Sequence, residues 1–157
     1  MELFFTWCAE VSRRSVLDGN EVFVFFSEKI DQNALNMQGL PVDGFIFLRD
    51  LFVQHNESQN KLVRYEALSK HKRRHVKYGD MDVDFEVKVD PNQLLNYRMI
   101  WEIVLQSANE SVISKSIGLL VNCHVNLEAG CTSDKSDVLQ NLISQIFTKF
   151  AENQGNE

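Results

Sequence analysis

Apolar residues recur at three- and four-residue steps through most of the carboxyl-terminal half. Val138, Leu139, Leu142, Ile143, Ile146, Phe147 and Phe150 follow Thr132, Ser133 and Asp134, so the spacing predicts an amphipathic helix over 134–152 with a capping side chain at its start. Val112, Ile113, Ile117, Leu120, Val121, His124 and Val125 make a similar stripe, opened by Asn109 and closed near Gly130, the residue type that ends helices in a left-handed conformation. A further helix begins at Asp90-Pro91, a cap followed by a proline in the first turn, and runs through Leu94, Leu95, Tyr97, Ile100, Trp101, Val104 and Leu105. The brief joint Ser107-Ala108-Asn109 makes these last two helices antiparallel neighbours.

The amino-terminal half reads the same way. Residues 3–16 carry Leu3, Phe4, Trp7, Cys8 and Val11 on one side, and Asp18-Gly19-Asn20 makes a turn before residues 21–30. Residues 41–55 place Phe45, Leu48, Leu51 and Phe52 at helical spacing, and Leu62, Val63 and Leu68 predict one more short helix over 61–69. Helical pairs joined by polar turns are the layout of stacked hairpins, so the expected fold is all-α and armadillo/HEAT-like over the single segment 1–157, without an exact internal repeat.

One stretch breaks the period. A charged insertion at about 66–90 holds the basic run 70–77, with Lys70, Lys72, Arg73, Arg74 and Lys77, then the acidic Asp80, Asp82, Asp84 and Glu86. Met81, Val83, Phe85, Val87 and Val89 alternate with charged residues, the period of a strand, so 70–90 is expected to be a loop or a short β-hairpin and the most mobile internal segment.

Composition narrows the class. The 157 residues hold 16 Lys+Arg against 22 Asp+Glu, a net charge of -6, and 11 Phe, an apolar content that can repay the entropy of ordering. Only 7 Gly and 2 Pro argue against an all-β sandwich. No apolar run spans a bilayer and no secretory signal opens the chain, and Cys8, Cys123 and Cys131 read as reduced thiols. The cytoplasm is the expected compartment, with the nucleus as a second. Asn56-Glu57-Ser58 and Asn109-Glu110-Ser111 match glycosylation sequons by chance.

Candidate chemistry is sparse. The basic run could dock phosphates or an import receptor through Arg73 and Arg74, but the acidic residues beyond it neutralise the patch and no aromatic platform accompanies it, which disfavours nucleic acid. Cys123, His124 and Cys131 invite a small cysteine hydrolase or a zinc site. Adjacent helix residues diverge by about 100°, so Cys123 and His124 cannot share a proton, and zinc lacks a fourth ligand. The acidic alternation lacks the glycine of a calcium loop, with Phe85 in its place. No catalytic, cofactor-binding or metal-ligating residue is assigned, and no cofactor.

The segments Phe47 to Val63 and Leu94 to Leu127 resemble the helical scaffold of the very large ubiquitin-specific proteases of the fat facets type. The carriers are the phenylalanine-rich helix leading to Lys61-Leu62-Val63, the Tyr97, Ile100, Trp101 cluster, the run Ile117-Gly118-Leu119-Leu120 and the closing Asn126-Leu127; Asn96 stands where that family suggests a glycine. The resemblance implies a non-catalytic scaffold or protein-interaction segment, a piece of a much longer deubiquitinase lying ahead of its protease domain. Its partners would be other protein segments, in the parent chain or the ubiquitin pathway. The nucleophile box and histidine box of those enzymes are absent here, so no catalytic residue carries over.

Trp101 and Leu120 sit on stripes that face each other across the 107–109 joint. Truncating either to alanine is expected to cost about 2–5 kcal/mol. Thermal unfolding unchanged by both substitutions would refute the pairing.

Overall fold

The computed structural model describes Glu28 and residues 36–65, 84–128, 131 and 134–154. Among the described residues there are four longer helices, α1 (Val42–Ser58), α2 (Tyr97–Gln106), α3 (Glu110–Val125) and α4 (Lys135–Gln154). Two short strands, β1 (Leu62–Tyr65) and β2 (Asp84–Val87), and a 3-10 turn (Pro91–Gln93) stand between α1 and α2. The described chain is mostly helical, with a small sheet. The expected helices over 3–16 and 21–30, with Trp7 and Cys8, lie outside the described residues, as do Lys70, Arg73, Arg74, Lys77 and the rest of 66–83.

Helix α1 is apolar on more than one side. Phe45, Phe47, Leu48, Leu51, Phe52 and Val53 are all buried, which makes it the central helix rather than a surface one. It stops at a Schellman-type turn. Asn60 adopts a left-handed φ of 55, its N–H bonds Glu57 O at 2.9 Å, and the Lys61 N–H bonds Asn56 O at 2.8 Å.

This turn corrects the expectation of a helix over 61–69. Leu62 to Tyr65 leaves α1 as an extended strand, antiparallel to β2, with Leu62 opposite Val87 and Arg64 opposite Phe85. The partner lies some twenty residues further along, so local spacing of Leu62 and Leu68 could not reveal it. Strand β2 itself follows the predicted alternation: Phe85 and Val87 are buried on the core face. Its partner flanks the insertion, however, instead of lying within 66–90, and Glu86 between them is buried too. The reason is a second neighbour. Val87 N–H bonds Asn126 O at 2.7 Å and Glu128 N–H bonds Val87 O at 2.9 Å, so β2 is held between β1 and the segment that ends α3.

The predicted cap at Asp90-Pro91 is present, but it opens a 3-10 turn and not the long helix expected. Asp90 Oδ1 accepts from Asn92 N–H at 2.9 Å, Leu94 turns extended, and Asn96 takes a left-handed φ of 56 before α2 begins at Tyr97. Helices α2 and α3 then pack against each other more extensively than any other pair of described elements, across the 107–109 joint. Trp101 is 7% and Leu120 4% exposed. Asn109 caps α3 through Ser111 and Val112 N–H, and α3 ends at Val125, short of Gly130. Helix α4 matches its expected span, with Asp134 Oδ1 accepting from Ser136 N–H at 2.9 Å.

One side chain ties these parts together. Asn56 is 0% exposed; its Oδ1 accepts from Leu95 N–H at 2.8 Å, and its Nδ2 donates to Leu95 O at 3.1 Å and Phe52 O at 2.9 Å. Its amide therefore has no free donor for a sugar, and the sequon there is structural. Asn122 is the contrasting case, buried on α3 with an Oδ1 that meets no partner.

The two asparagines respond oppositely to substitution. Asn56→Asp keeps the acceptor but sets a carboxylate against two carbonyls, and Asn56→Ala orphans Leu95; each is expected to cost about 1–3 kcal/mol per unpaired group. Asn122→Leu removes an unsatisfied buried oxygen and is expected to be neutral or stabilising by about 1 kcal/mol. Urea unfolding of the three variants measures both; equal losses at the two positions would refute the assignment.

Candidate functional site

The most developed polar arrangement lies where the 3-10 turn, α2, α3 and α4 meet. Asn96, in its left-handed conformation, starts α2 so that Tyr97 points inward, and Tyr97 Oη stands 3.2 Å from His124 Nε2 on α3. The two rings are tilted at 55° with centroids 5.7 Å apart. His124 is 1% exposed and its Nδ1 lies 2.8 Å from Leu120 O, one helical turn back. On the other side Tyr97 Oη is 3.2 Å from Gln145 Oε1 on α4, and Gln145 Nε2 donates to Asn92 Oδ1 at 2.8 Å. Asn92 Nδ2 donates in turn to Asp90 Oδ1 at 2.9 Å. A continuous chain of side chains thus runs from the Asp90 cap to the interior of α3.

Above it opens a groove of about 400 Å³ lined by Asn92, Asn141, Ser144, Gln145, Thr148 and Lys149. Each of these residues carries a polar side chain, although much of the surface they turn to the groove is their aliphatic carbon. Several of those groups already bond one another or their own helix: Thr148 Oγ1 donates to Ser144 O at 3.0 Å, and Lys149 Nζ pairs with Glu152 at 2.8 Å.

Burial shapes the chemistry of this region. It holds the His124 imidazole below its ordinary 6.5, against smaller opposing pulls from the Leu120 carbonyl and the Asp90 charge. It also pushes the Tyr97 phenol and the Cys123 thiol up. Cys123 is 0% exposed in the core cluster, and His124 turns its ring to Tyr97, as their angular separation on α3 requires. A neutral thiol enclosed in the core has the surroundings of a packing group. Cys131 is a free cysteine, half-buried against the same core. Among the described residues no three His, Cys, Asp or Glu side chains gather closely enough to hold a metal, and no helix is long and apolar enough to cross a membrane.

The sequence pattern singled out His124 and Asp90, but for other reasons, and missed Tyr97, Asn92 and Gln145 as polar partners. A signal existed for Gln145. It falls on the same helical face as Val138 and Leu142, and a polar residue on a buried stripe needs a partner.

A pH dependence follows from His124. Because its folded affinity for a proton is below the ordinary value, the unfolded chain takes up the proton first as pH falls, so stability present above about 6.5 is lost below it. His55, lowered by burial and then by Lys61, acts in the same direction. The urea midpoint is expected to fall as pH drops through this window, and His124→Gln to flatten the slope; an unchanged slope would count against a buried neutral His124. Compared with protein-family models, curated proteins and solved structures, the chain matches none.

Proposed function

We propose that this chain is a non-catalytic scaffold and protein-interaction segment, an armadillo/HEAT-like stack of helical hairpins of the kind that precedes the protease domain in very large ubiquitin-specific proteases. The observation that carries the reading is the two-sided character of α4. Val138 and Leu142 face the core, while Leu139, Ile143, Ile146 and Phe147 form a second apolar stripe around the helix, with Ile143 53% and Phe147 72% exposed. A helix with an apolar arc wider than one neighbour can cover is built for a neighbour on each side, as in a stack. Exposed apolar patches of this kind mark protein contacts.

Two features add support. The α2–α3 pair is a compact hairpin with a short joint, the unit that such stacks repeat. Asn96, where the resembling family suggests glycine, has the left-handed φ of 56 that glycine adopts at least cost. On this reading the partners are other protein segments, first of all the remainder of a longer parent chain and then proteins of the ubiquitin pathway, in the cytoplasm or nucleus. The parent would be a cysteine-type deubiquitinase; this segment would contribute position and contact, not turnover.

The double variant Ile143→Glu, Phe147→Glu tests it. These side chains contribute little to the described core, so unfolding is expected to shift by no more than about 0.5 kcal/mol. Association with adjoining segments of the parent chain, supplied in trans, is expected to be lost. Retained association would overturn the reading, as would cleavage of a ubiquitin-amide reporter by the isolated chain that Cys123→Ala abolishes.

A further inference from the structure

The chain of side chains from Asp90 to His124 ends on a hydrogen-bond acceptor at both ends. At one end is the Leu120 carbonyl, 2.8 Å from His124 Nδ1, which must therefore carry a hydrogen. At the other is the Asp90 carboxylate, which accepts from Asn92 Nδ2 at 2.9 Å and from Asn92 N–H. Following the links inward from Asp90, Asn92 Oδ1 accepts from Gln145 Nε2, Gln145 Oε1 needs the Tyr97 hydroxyl hydrogen, and Tyr97 Oη then has only lone pairs to offer His124 Nε2. So Nε2 must carry a hydrogen as well. Both ring nitrogens are protonated only in the imidazolium. Rotating both side-chain amides lets Gln145 Nε2 donate to Tyr97 Oη beside a neutral His124 and moves the mismatch to the exposed contact between Asn92 Oδ1 and the Asp90 carboxylate, so one link of the chain is still unmade.

We infer that Asp90, Asn92, Gln145, Tyr97 and His124 form a one-proton switch: the chain is fully hydrogen-bonded only when His124 is doubly protonated, and the neutral state leaves one link of the chain unmade. When His124 is neutral its Nε2 takes the Tyr97 hydroxyl hydrogen, and the chain then meets oxygen against oxygen either at Tyr97 and Gln145 or, with both amides turned, at Asn92 and Asp90. Proton uptake turns the Tyr97 hydroxyl to Gln145 and completes the connection from α3 through α2 and α4 to the Asp90 cap. The carboxylate balances the added charge. Burial opposes uptake and the completed chain favours it, so the midpoint is a balance of the two.

The surrounding titratable groups are accounted for. Tyr97 on α2 and Cys123 on α3 are neutral, Asp90 at the turn is the charge that acts on the ring, and Lys149 on α4, in the groove beside Gln145, is matched by Glu152 at 2.8 Å. Among the described residues, α1 and β2, which also pack on α3, add no charge that acts on His124.

Nitrogen-15 NMR of the His124 ring in the whole chain tests the switch, since it reads tautomer and midpoint together. The neutral form is expected to carry its hydrogen on Nδ1 and to titrate in one step. Gln145→Leu, which cuts the chain but keeps Asp90 in place, is expected to lower the proton affinity by about tenfold, one unit in the midpoint. Tyr97→Phe removes the bridging oxygen and is expected to do the same. Amide spectra of both variants check that the fold is retained. A midpoint unmoved in Gln145→Leu would mean that Asp90 acts only through space, and would overturn the switch; so would a neutral ring protonated on Nε2, or a wild-type ring that stays neutral until the chain unfolds.

Discussion

The described structure depends first on the amide of Asn56. At the end of the central helix α1 it imitates a length of backbone, donating to and accepting from Leu95, 39 residues away in sequence. The turn between the 3-10 segment and α2, extended at Leu94 and left-handed at Asn96, bonds Tyr97 N–H to Leu94 O and passes over the Leu95 amide, which Asn56 takes instead. The clamp therefore decides where α2 starts. From that start follow the inward direction of Tyr97 and the burial of Ile100 and Trp101 against α3. A buried amide with its donors used and its acceptor matched is a specifying contact as much as a stabilising one, since any other register leaves polar groups unpaired.

A second constraint is set by β2. Strands of four residues are too short to persist by themselves, and this one is held on both edges, by β1 and by the 126–128 segment that follows α3. The arrangement brings the end of α1, the far side of the charged insertion and the end of α3 into one hydrogen-bonded seam. It also covers an edge that would otherwise be open to pairing with another chain. Around the seam Glu57 bonds Arg64 at 2.6 Å and Lys88 bonds Asn60 at 2.7 Å, exposed contacts whose value lies in orientation more than in energy.

Function, on the reading advanced here, divides between two sides of α4. One side carries Gln145 into the polar chain that ends on His124; the other presents Leu139, Ile143 and Phe147 for a neighbour. A helix with both properties can couple the hydrogen-bonded state of the bundle to the placement of whatever packs on it. The same burial that makes Cys123 a good core residue keeps its thiol protonated.

The sequence by itself determined the helices whose apolar stripe is local and long: α1, α3 and α4, with Asn109 and Asp134 as their caps, were legible because a period of about 3.6 repeated over several turns cannot arise from a strand. It also determined that Phe85 and Val87 share one face, since alternation is local too. Tertiary structure alone decided the rest. Leu62 to Tyr65 became a strand because a partner waited beyond the insertion, and strand pairing is a property of two segments, not one. The expected long helix at Asp90 was cut at Asn96 because Asn56, itself unremarkable inside an apolar run, captured Leu95. Gln145, Tyr97 and His124 met because α2, α3 and α4 converge there, and the chain they form ends at Leu120 and Asp90, positions that no local pattern connects.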